Sequence, residues 1–306
     1  QDWRVRAALS RGYALYGATE EHAVAMGAAG LDVSGTLDDL LEAADIVVDC
    51  TPKHLASKNI ETYRRLGIRF IVHGGEKHQS TGHSFVAEAN YASAVGRDCT
   101  RVVSCNTTSI IRTLSALKRH GLLDRARGTL LRRATDPWES HQGGIMNTVV
   151  PEPEIPSPQG PDAQSVDPDL DVVTMAVKVP ETLAHLHYWS VQLTREASKD
   201  EVLDAFRTSS RIVFLRNSDG LSAINSVKEL MADLGRPHDS LYEVALWEDM
   251  LKVQGNELFY AYMVDNQAIV VPETIDAIRA LTGAEPDAET SIRDTNDSLG
   301  IGSLGL

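Results

Sequence analysis

The first hundred residues alternate short apolar runs with amphipathic stretches. The apolar runs cover residues 46–50, 69–72 and 100–104. Ala56 to Leu66 reads as a helix between two of these runs, and Thr36 opens another amphipathic stretch before the first. Short apolar runs separated by helices are typical of a parallel sheet with crossover helices. Ligands bind beyond the carboxyl ends of such strands, so we expect a binding edge in the loops after Asp49, Val72 and Val103.

The second half of the chain has longer predicted strands. They cover residues 172–179, 185–193, 211–215, 244–247, 257–264 and 268–271. Helices predicted at 199–208 and 224–234 interrupt the series, and Pro272 opens a last helix that ends at Gly283. This pattern predicts an α+β domain with a mostly antiparallel sheet.

A proline-rich segment separates the two halves. Seven of the 12 prolines lie between Pro137 and Pro168. Long irregular segments inside a domain are usually functional or disordered.

The start of the chain lacks a motif that a dinucleotide-binding fold normally has. Such a fold opens with a strand that leads into a Gly-x-Gly-x-x-Gly turn, and residues 1–35 contain no such turn. Gly27-Ala-Ala-Gly30 has no predicted strand before it. We therefore expect either that the first βα unit is missing from this chain or that a dinucleotide binds in another way.

Composition and charge narrow the class of protein. A length of 306 residues predicts about two domains. The formal net charge of −14 disfavours nucleic-acid binding. No apolar stretch is long enough to span a membrane or act as a secretory signal. The three cysteines form no Cys-x-x-Cys motif and predict reduced thiols, so the expected location is the cytoplasm. With only eight lysines among 29 basic residues, the composition fits either a salt-adapted (halophilic) protein or a mildly acidic one.

The strongest chemical signal is Ser104-Cys-Asn-Thr-Thr108, where a predicted strand ends and a helix begins. A thiol at a helix amino terminus faces unpaired N–H groups and the positive end of the helix dipole, which both favour the thiolate. The same N–H groups and the Asn106 and Thr107 side chains are placed to hold an oxyanion. This arrangement is typical of a cysteine that attacks an aldehyde or an acyl group.

Two further groups of side chains were considered as a phosphate site and as a metal site. Arg132 and Arg133 have the planar donors that bind phosphate, and only one of these neighbours is expected to face the site. His73, His78 and His83 lie close to Glu76 in sequence, but their spacing matches no common zinc site, and we predict no metal.

The chain resembles the archaeal-type (type II) glyceraldehyde-3-phosphate dehydrogenases over nearly its whole length. The matching motifs are Asp45-Ile-Val-Val-Asp49, His73-Gly-Gly-Glu-Lys77, Arg101-Val-Val-Ser-Cys-Asn-Thr-Thr108, Arg132-Arg-Ala134, Thr174-Met-Ala-Val177, Val270-Val-Pro-Glu-Thr-Ile-Asp-Ala-Ile-Arg279 and Thr295-Asn-Asp-Ser-Leu-Gly300. The Cys-Asn-Thr-Thr block together with the Thr-Asn-x-Ser-Leu-Gly ending is specific.

The resemblance implies an oxidoreductase of glycolysis that works through a cysteine thioester. Cys105 would attack glyceraldehyde 3-phosphate, hydride would pass to NADP or NAD, and inorganic phosphate would release 1,3-bisphosphoglycerate. The resemblance also implies a homotetramer in which the proline-rich segment reaches a neighbouring subunit's cofactor. The positions it assigns to the substrate are Asn106, Thr107, Gln159, Gly160 and Arg132. Those that it assigns to the cofactor are Gly75, Arg133 and Asn296.

One departure from the family concerns the base. The family usually has Pro-Ser-His-His-Gly-Pro-Asp, with a histidine as the proton acceptor, and this chain reads Pro156-Ser-Pro-Gln-Gly-Pro-Asp162. Glutamine hydrogen-bonds a hydroxyl but takes no proton at neutral pH. His185 and His187 share one face of a predicted strand and are the candidate substitutes, although hydrogen-bonded core histidines have the same pattern.

The implied fold is α/β. A Rossmann-like parallel-sheet domain, without its first βα unit, would comprise residues 1–104 and 272–306. Residues 105–271 would form an α+β catalytic domain with a mostly antiparallel sheet. Two alternatives stay open. One is a related dehydrogenase of a phospho-aldehyde or a semialdehyde, and the other is a catalytically weak paralogue that serves as a binding or assembly subunit.

Overall fold

The computed structural model describes residues 2–52, 55–73, 75–135, 145–302 and 304. Its α-helices are α1 Asp2–Ser10, α2 Glu20–Ala28, α3 Leu37–Ala43, α4 Ala56–Leu66, α5 Ala87–Asn90, α6 Cys105–Arg119, α7 Gln159–Gln164, α8 Lys199–Arg207, α9 Ile224–Asp233, α10 Val270–Thr282 and α11 Ala288–Leu299. Its strands are β1 Tyr16–Gly17, β2 Gly35–Thr36, β3 Ile46–Asp49, β4 Arg69–His73, β5 Ser84–Phe85, β6 Cys99–Val102, β7 Leu123–Arg133, β8 Val150–Pro151, β9 Val172–Val179, β10 His185–Leu193, β11 Ile212–Leu215, β12 Val244–Trp247, β13 Lys252–Gln254 and β14 Glu257–Val264. Within the described ranges no helix is both long and apolar enough to cross a bilayer.

A parallel four-stranded sheet forms the first layer of the fold. Its strand order is β3-β4-β6-β5, and every pairing is parallel. Alternate residues of β4 face opposite sides, so Phe70 packs with α3 and α4 while Ile71 packs with α10. The predicted parallel sheet with crossover helices is therefore confirmed.

A separate pair of short parallel strands precedes this sheet. β1 pairs with β2, and α2 connects them. No strand was predicted before Gly27, because two residues are too short to leave an alternating pattern. Gly17 lies where this unit is tightest, since a Cβ there would be 2.5 Å from the backbone nitrogen of Ala23.

The second sheet has eight strands. Its order is β11-β12-β14-β10-β7-β9-β8, with β13 beside β14. Five of its seven pairings are antiparallel, as predicted. Helices α6, α7 and α8 cover one face and α9 covers part of the other.

The end of the chain differs from the prediction in two places. Residues 268–271 were predicted as a strand, but α10 already begins at Val270. The Asp265 carboxylate accepts hydrogen bonds from the N–H groups of Gln267 and Ala268, so the backbone turns there instead of extending. The second difference is α11, a mostly polar helix that was not predicted. The Asp287 side chain caps it.

A fully buried ionic network joins α6 to α10 and α11. Arg112 and Arg211 both donate to the Glu273 carboxylate, and Arg211 also donates to Asp276 at 2.5 Å. All four side chains are inaccessible to solvent. Asp276 also accepts hydrogen bonds from Ser291 and Thr295 of α11. Buried charges are stable when they are paired and fully hydrogen-bonded, so this network fixes α6 to the last two helices.

Candidate active site

A cavity of 1260 Å³ lies at the carboxyl ends of β4 and β6, where the sequence predicts a binding edge. Parts of the loop after β4, the start of α6, the end of β7, α7 and the start of β10 line it. Of the predicted site residues, those in the lining are Gly75, Cys105, Asn106, Thr107, Arg132, Arg133, Gln159 and His185. Gly160, His187 and Asn296 are not among the lining residues.

Cys105 is the first residue of α6 and is partly exposed in this cavity. Ser104 caps the helix, and its hydroxyl accepts a hydrogen bond from the Thr107 N–H group. Burial raises the pKa of Cys105 to about 11, while the Asn106 N–H group and the charges of Arg133 and Arg132 act in the opposite direction. In the free chain, desolvation outweighs the helix amino terminus and both arginines. The thiolate that the sequence favours therefore stays a prediction.

Asn106 is held by His187. The His187 Nε2 atom lies 2.8 Å from Asn106 Oδ1, and its Nδ1 atom lies 2.9 Å from the Tyr262 hydroxyl. Burial lowers the pKa of His187 to about 3, so the ring is neutral. The network is satisfied when Nε2 donates to Asn106 and Nδ1 accepts from Tyr262. Both ring nitrogens are then occupied, which leaves His187 without a site for the predicted base role. Asn106 lines the cavity, and Nδ2 is the end of its amide that His187 does not hold.

His185 lies at the start of β10 and reaches the cavity directly. Its Nδ1 atom accepts a hydrogen bond from the backbone N–H of Arg133 at 3.0 Å. Burial, followed by the charges of His187, Arg133 and Arg132, lowers the pKa of His185 well below its usual value. A neutral ring that accepts at Nδ1 carries its proton on Nε2. In this geometry His185 is a hydrogen-bond donor, whereas the sequence suggested a base.

Both arginines at the end of β7 line the cavity, although only one was expected to face it. Arg133 donates to the carbonyl of Thr182. The Arg132 guanidinium lies 3.4 Å from the Glu152 carboxylate, and its buried Nε has no hydrogen-bond partner in the described part of the chain. Because a guanidinium with unused donors binds anions well, Arg132 is the better phosphate candidate of the two.

Gln159 and Gly160 begin α7 but face different ways. The Gln159 side chain is 8% exposed, and its Oε1 atom is buried without a partner among the described residues. Gly160 instead packs on β9, where its N–H donates to Thr174 Oγ1 and an added Cβ would lie 3.1 Å from that oxygen. Gln159 therefore offers the cavity an unused acceptor, while Gly160 allows α7 to approach the sheet.

The Thr107 hydroxyl is committed to a residue that the sequence did not single out. It donates to Asp162 Oδ2 at 2.5 Å, and Arg101 donates to the other oxygen of that carboxylate at 2.7 Å. The Thr107 proton is thus unavailable to a ligand, contrary to the expected substrate contact. A carboxylate six residues after Pro156 was visible in the quoted family motif, but spacing alone does not show which hydroxyl it holds.

Asn296 lies in α11, apart from the cavity. Its Oδ1 atom accepts from Arg211 at 3.0 Å, and its Nδ2 atom donates to the Ser210 hydroxyl at 2.8 Å. Both ends of the amide are used by the buried network, so the predicted cofactor contact has no counterpart in this geometry.

The histidines after β4 serve local structure. His83 is hydrogen-bonded to Thr100 and Ser93, and burial lowers the pKa of His83 to about 4. His78 is hydrogen-bonded to Ser84. Over the described ranges, no three His, Cys, Asp or Glu side chains gather in a way that would hold a metal ion.

Comparison with known proteins shows the family of this chain. Residues 104–249 match the model of the glyceraldehyde 3-phosphate dehydrogenase C-terminal domain. The chain is 42% identical over 292 residues to a glyceraldehyde-3-phosphate dehydrogenase of Methanobrevibacter smithii, covering 95% of this chain and 86% of that protein. It is 41% identical over 300 residues to the enzyme of the same name from Thermococcus kodakarensis, covering 98% and 88% of the two chains. It is 39% identical over 301 residues to the glyceraldehyde-3-phosphate dehydrogenase of Methanothermus fervidus, covering 98% of this chain and 89% of that protein.

The chain belongs to the glyceraldehyde-3-phosphate dehydrogenase family. The α/β fold agrees with this membership, since a parallel sheet is followed by a mostly antiparallel one.

A dehydrogenase of this family needs room for a nicotinamide cofactor beside the thiol. A second cavity of 550 Å³, formed mainly by apolar side chains of β3, α4 and α10, adjoins the first. The two share His73, Gly75, Glu76 and Val270 in their linings. Asn266 lines the first cavity, and its buried Oδ1 atom has no partner within the described ranges. An apolar cleft next to an unsatisfied amide oxygen fits a nicotinamide ring and its carboxamide, and sequence reasoning missed Asn266 because an Asn in a turn has no periodic signature.

Proposed function

We propose that the protein catalyses the phosphorylating oxidation of glyceraldehyde 3-phosphate, with NADP or NAD as cofactor. The observation that carries the proposal is the position of Cys105. Its thiol opens a helix inside a cavity that also contains Arg132, an amide donor from Asn106 and a neutral His185. A thiol, oxyanion donors and a phosphate-binding guanidinium are the groups that this acyl-transfer chemistry needs.

The residues that would hold the cofactor are Gly75, Asn266 and Arg133. When bound, the oxidised nicotinamide supplies the hydride acceptor and a positive charge. Asn266 Oδ1, which has no partner among the described residues, would accept a hydrogen bond from its carboxamide, and Gly75 lies where the linings of the two cavities overlap.

Cys105 would attack the aldehyde carbon and form a hemithioacetal. The oxygen that develops negative charge would receive hydrogen bonds from the Asn106 amide and from His185 Nε2, because both residues line the cavity. His187 and Tyr262 keep the Asn106 amide in this orientation. Loss of the hydroxyl proton and of a hydride, for which the bound cofactor would be the acceptor, would leave a thioester on Cys105. Inorganic phosphate would then attack the thioester carbon and release the Cys105 thiolate, with the phosphate oxygens bound by Arg132, whose Nε has no partner among the described residues.

Gln159 would recognise a hydroxyl of the substrate and not act as a base. Its unpartnered Oε1 accepts a hydrogen bond from such a hydroxyl. The hydroxyl proton of the hemithioacetal would then pass to another acceptor. That acceptor is either solvent in this open cavity or His185 Nδ1, once its hydrogen bond with the Arg133 N–H is broken. Replacing Gln159 by histidine tests whether a base at this position speeds turnover.

We further propose the two domains given above, a homotetramer and a cytoplasmic location. The packing of α10 on the parallel sheet supports grouping residues 272–306 with residues 1–104. The uncovered face of the large sheet supports subunit contacts, since it exposes large apolar side chains. These include Met175, Tyr188 and Phe259. Three free cysteines fit a reducing compartment. Salt adaptation is proposed only from the acidic composition.

The test is formation of reduced cofactor from glyceraldehyde 3-phosphate, with NADP or NAD and with or without phosphate, at low and high salt. Phosphate-dependent turnover that Cys105→Ala abolishes is expected. Normal alkylation of Cys105 without any turnover would instead favour a binding or assembly subunit. Turnover with other phospho-aldehydes or semialdehydes, but not with this substrate, would favour a related dehydrogenase.

A further inference from the structure

The edge of the cavity contains an ion pair that no step above uses. Arg101 in β6 is 2% exposed, and Asp162 in α7 has a side chain that is 23% exposed. Both line the cavity, and their charged atoms are 2.7 Å apart. A pair that is nearly buried and directed at a catalytic cavity is costly to build unless its geometry is well satisfied.

Arg101 uses its donors to join three parts of the site. It donates to the carbonyl of Glu76 in the loop after β4, to the Ser84 hydroxyl in β5 and to Ser165 after α7. Because its donors have protein partners, Arg101 is not available to bind a ligand anion. It links the loop after β4, on the side of the proposed cofactor cleft, to the region of α7, on the side of the proposed aldehyde site.

Asp162 controls the direction of the hydrogen bond at Thr107. An ionised carboxylate only accepts hydrogen bonds, so the 2.5 Å contact requires the Thr107 hydroxyl to donate to Asp162. The Ser104 hydroxyl, 2.9 Å from Thr107 Oγ1, is then the donor in that second contact. Through this acceptor the helix α7, which carries Gln159, is hydrogen-bonded to the first turn of α6, which carries Cys105.

We propose that Asp162, held by Arg101, is a positioning residue for the aldehyde substrate. It sets the hydroxyl direction of Thr107 and the separation of Cys105 from Gln159, and it makes no contact of its own with the reacting atoms. The inference rests on the proposed function. It places the effect on the aldehyde and not on the cofactor, because Asp162 touches α6 and α7 while Arg101 alone reaches the loop at Glu76.

The main test is Asp162→Asn, which keeps the side-chain shape but replaces one acceptor by a donor. We expect kcat/KM for glyceraldehyde 3-phosphate to fall by about tenfold or more, as for a lost charge-assisted hydrogen bond. The KM for the cofactor should stay within about twofold, because Asp162 has no contact on that side. Asp167→Asn is the matched control. Asp167 pairs with Lys118 of α6 at 2.7 Å and so joins the same two regions, but neither residue lines the cavity.

A double variant separates positioning from general stability. If Asp162 acts through Thr107, the double variant Asp162→Asn, Thr107→Val should lose little more kcat/KM for the aldehyde than either single variant. If Asp162→Asn folds poorly, Thr107→Val alone tests the same contact, because it removes the hydroxyl that donates to Asp162 and should lower kcat/KM for the aldehyde while leaving the KM for the cofactor within about twofold. The inference would be overturned if Asp162→Asn left kcat/KM for the aldehyde unchanged. It would also be overturned if kcat/KM fell equally for aldehyde and cofactor and Asp167→Asn produced the same fall. A parent protein that never oxidises the aldehyde would instead reject the proposed function, and this inference with it.

Discussion

At the scale of single residues, contacts limit the roles that the sequence suggested for several side chains. Cys105, Asn106, Arg132 and Gln159 were predicted from a local motif or from the family resemblance, and the structure places all four in the lining of the cavity. His185 and His187 were also located, but the sequence does not show which ring nitrogen is occupied. Their hydrogen bonds to Arg133 and to Asn106 and Tyr262 are long-range contacts that only the folded chain creates.

The ionisation of Cys105 gives a prediction at this scale. Only the thiolate reacts with iodoacetamide, and the pKa of Cys105 in the free protein is about 11. The alkylation rate should therefore still rise with pH above pH 9. Oxidised cofactor brings a positive charge that favours the thiolate, so it should shift this profile to lower pH. The measurement is the alkylation rate against pH in a Cys50→Ser, Cys99→Ser background.

Reduced cofactor is the control for that experiment, because it occupies the same cleft without the ring charge. A rate that levels off by pH 8 in the free protein would contradict the burial effect. An equal shift with oxidised and reduced cofactor would attribute the change to cleft filling and not to charge.

At the scale of elements, patterns were reliable where one face of an element is buried and the other is not. The strands 172–179 and 185–193 alternate in burial and were found with their observed bounds. The strand 257–264 was also found with its observed bounds, although both of its faces are buried from Tyr260 onward. The apolar run 268–271 has no such alternation, and a short buried run fits a helix or a strand equally well. The turn made by Asp265 decided between them, and that turn depends on a side chain outside the run.

The pairing of β7 with β10 gives a prediction at this scale. Gly128 lies opposite Trp189, and a Cβ at Gly128 would be 2.6 Å from the indole ring. Trp189 is 3% exposed and has little room to move. Gly128→Ala should therefore lower the free energy of unfolding by about 1–3 kcal/mol through overpacking. Denaturant titration measures this change.

Thr129→Ser serves as the control in the same strand, because Thr129 lies on the opposite face of the sheet. It should change the unfolding free energy by less than about 0.5 kcal/mol. Equal effects of the two substitutions would show that the glycine is not required by Trp189.

At the scale of the whole molecule, two sheets meet at the cavity, and distant parts of the chain complete it. The sequence predicted both sheets and a binding edge at the carboxyl ends of the parallel strands. It did not predict the buried network of Arg112, Arg211, Glu273 and Asp276, because the partners are as much as 161 residues apart.

This network gives a stability prediction. Burial would raise the pKa of Glu273, but the charges of Arg112 and Arg211 and the N–H group of Ala87 hold it below its usual value. Glu273→Gln leaves two guanidinium groups buried with less compensation. The free energy of unfolding at neutral pH should fall by about 3–5 kcal/mol. Glu201→Gln, which breaks an exposed ion pair with Arg195, should change stability little, and similar losses for the two variants would contradict the prediction.

The network also has a consequence for how the molecule opens. α6 and α10 fall in different predicted domains, yet Arg112 and Glu273 bind them at 2.6 Å inside the protein. Amide groups in both helices should then exchange with heavy water at the same slow rate, because neither helix can detach without exposing an unpaired charge. The helix that begins with the Cys105 thiol is thus anchored to the last part of the chain, so loosening α10 and α11 should also loosen the helix that positions this sulfur.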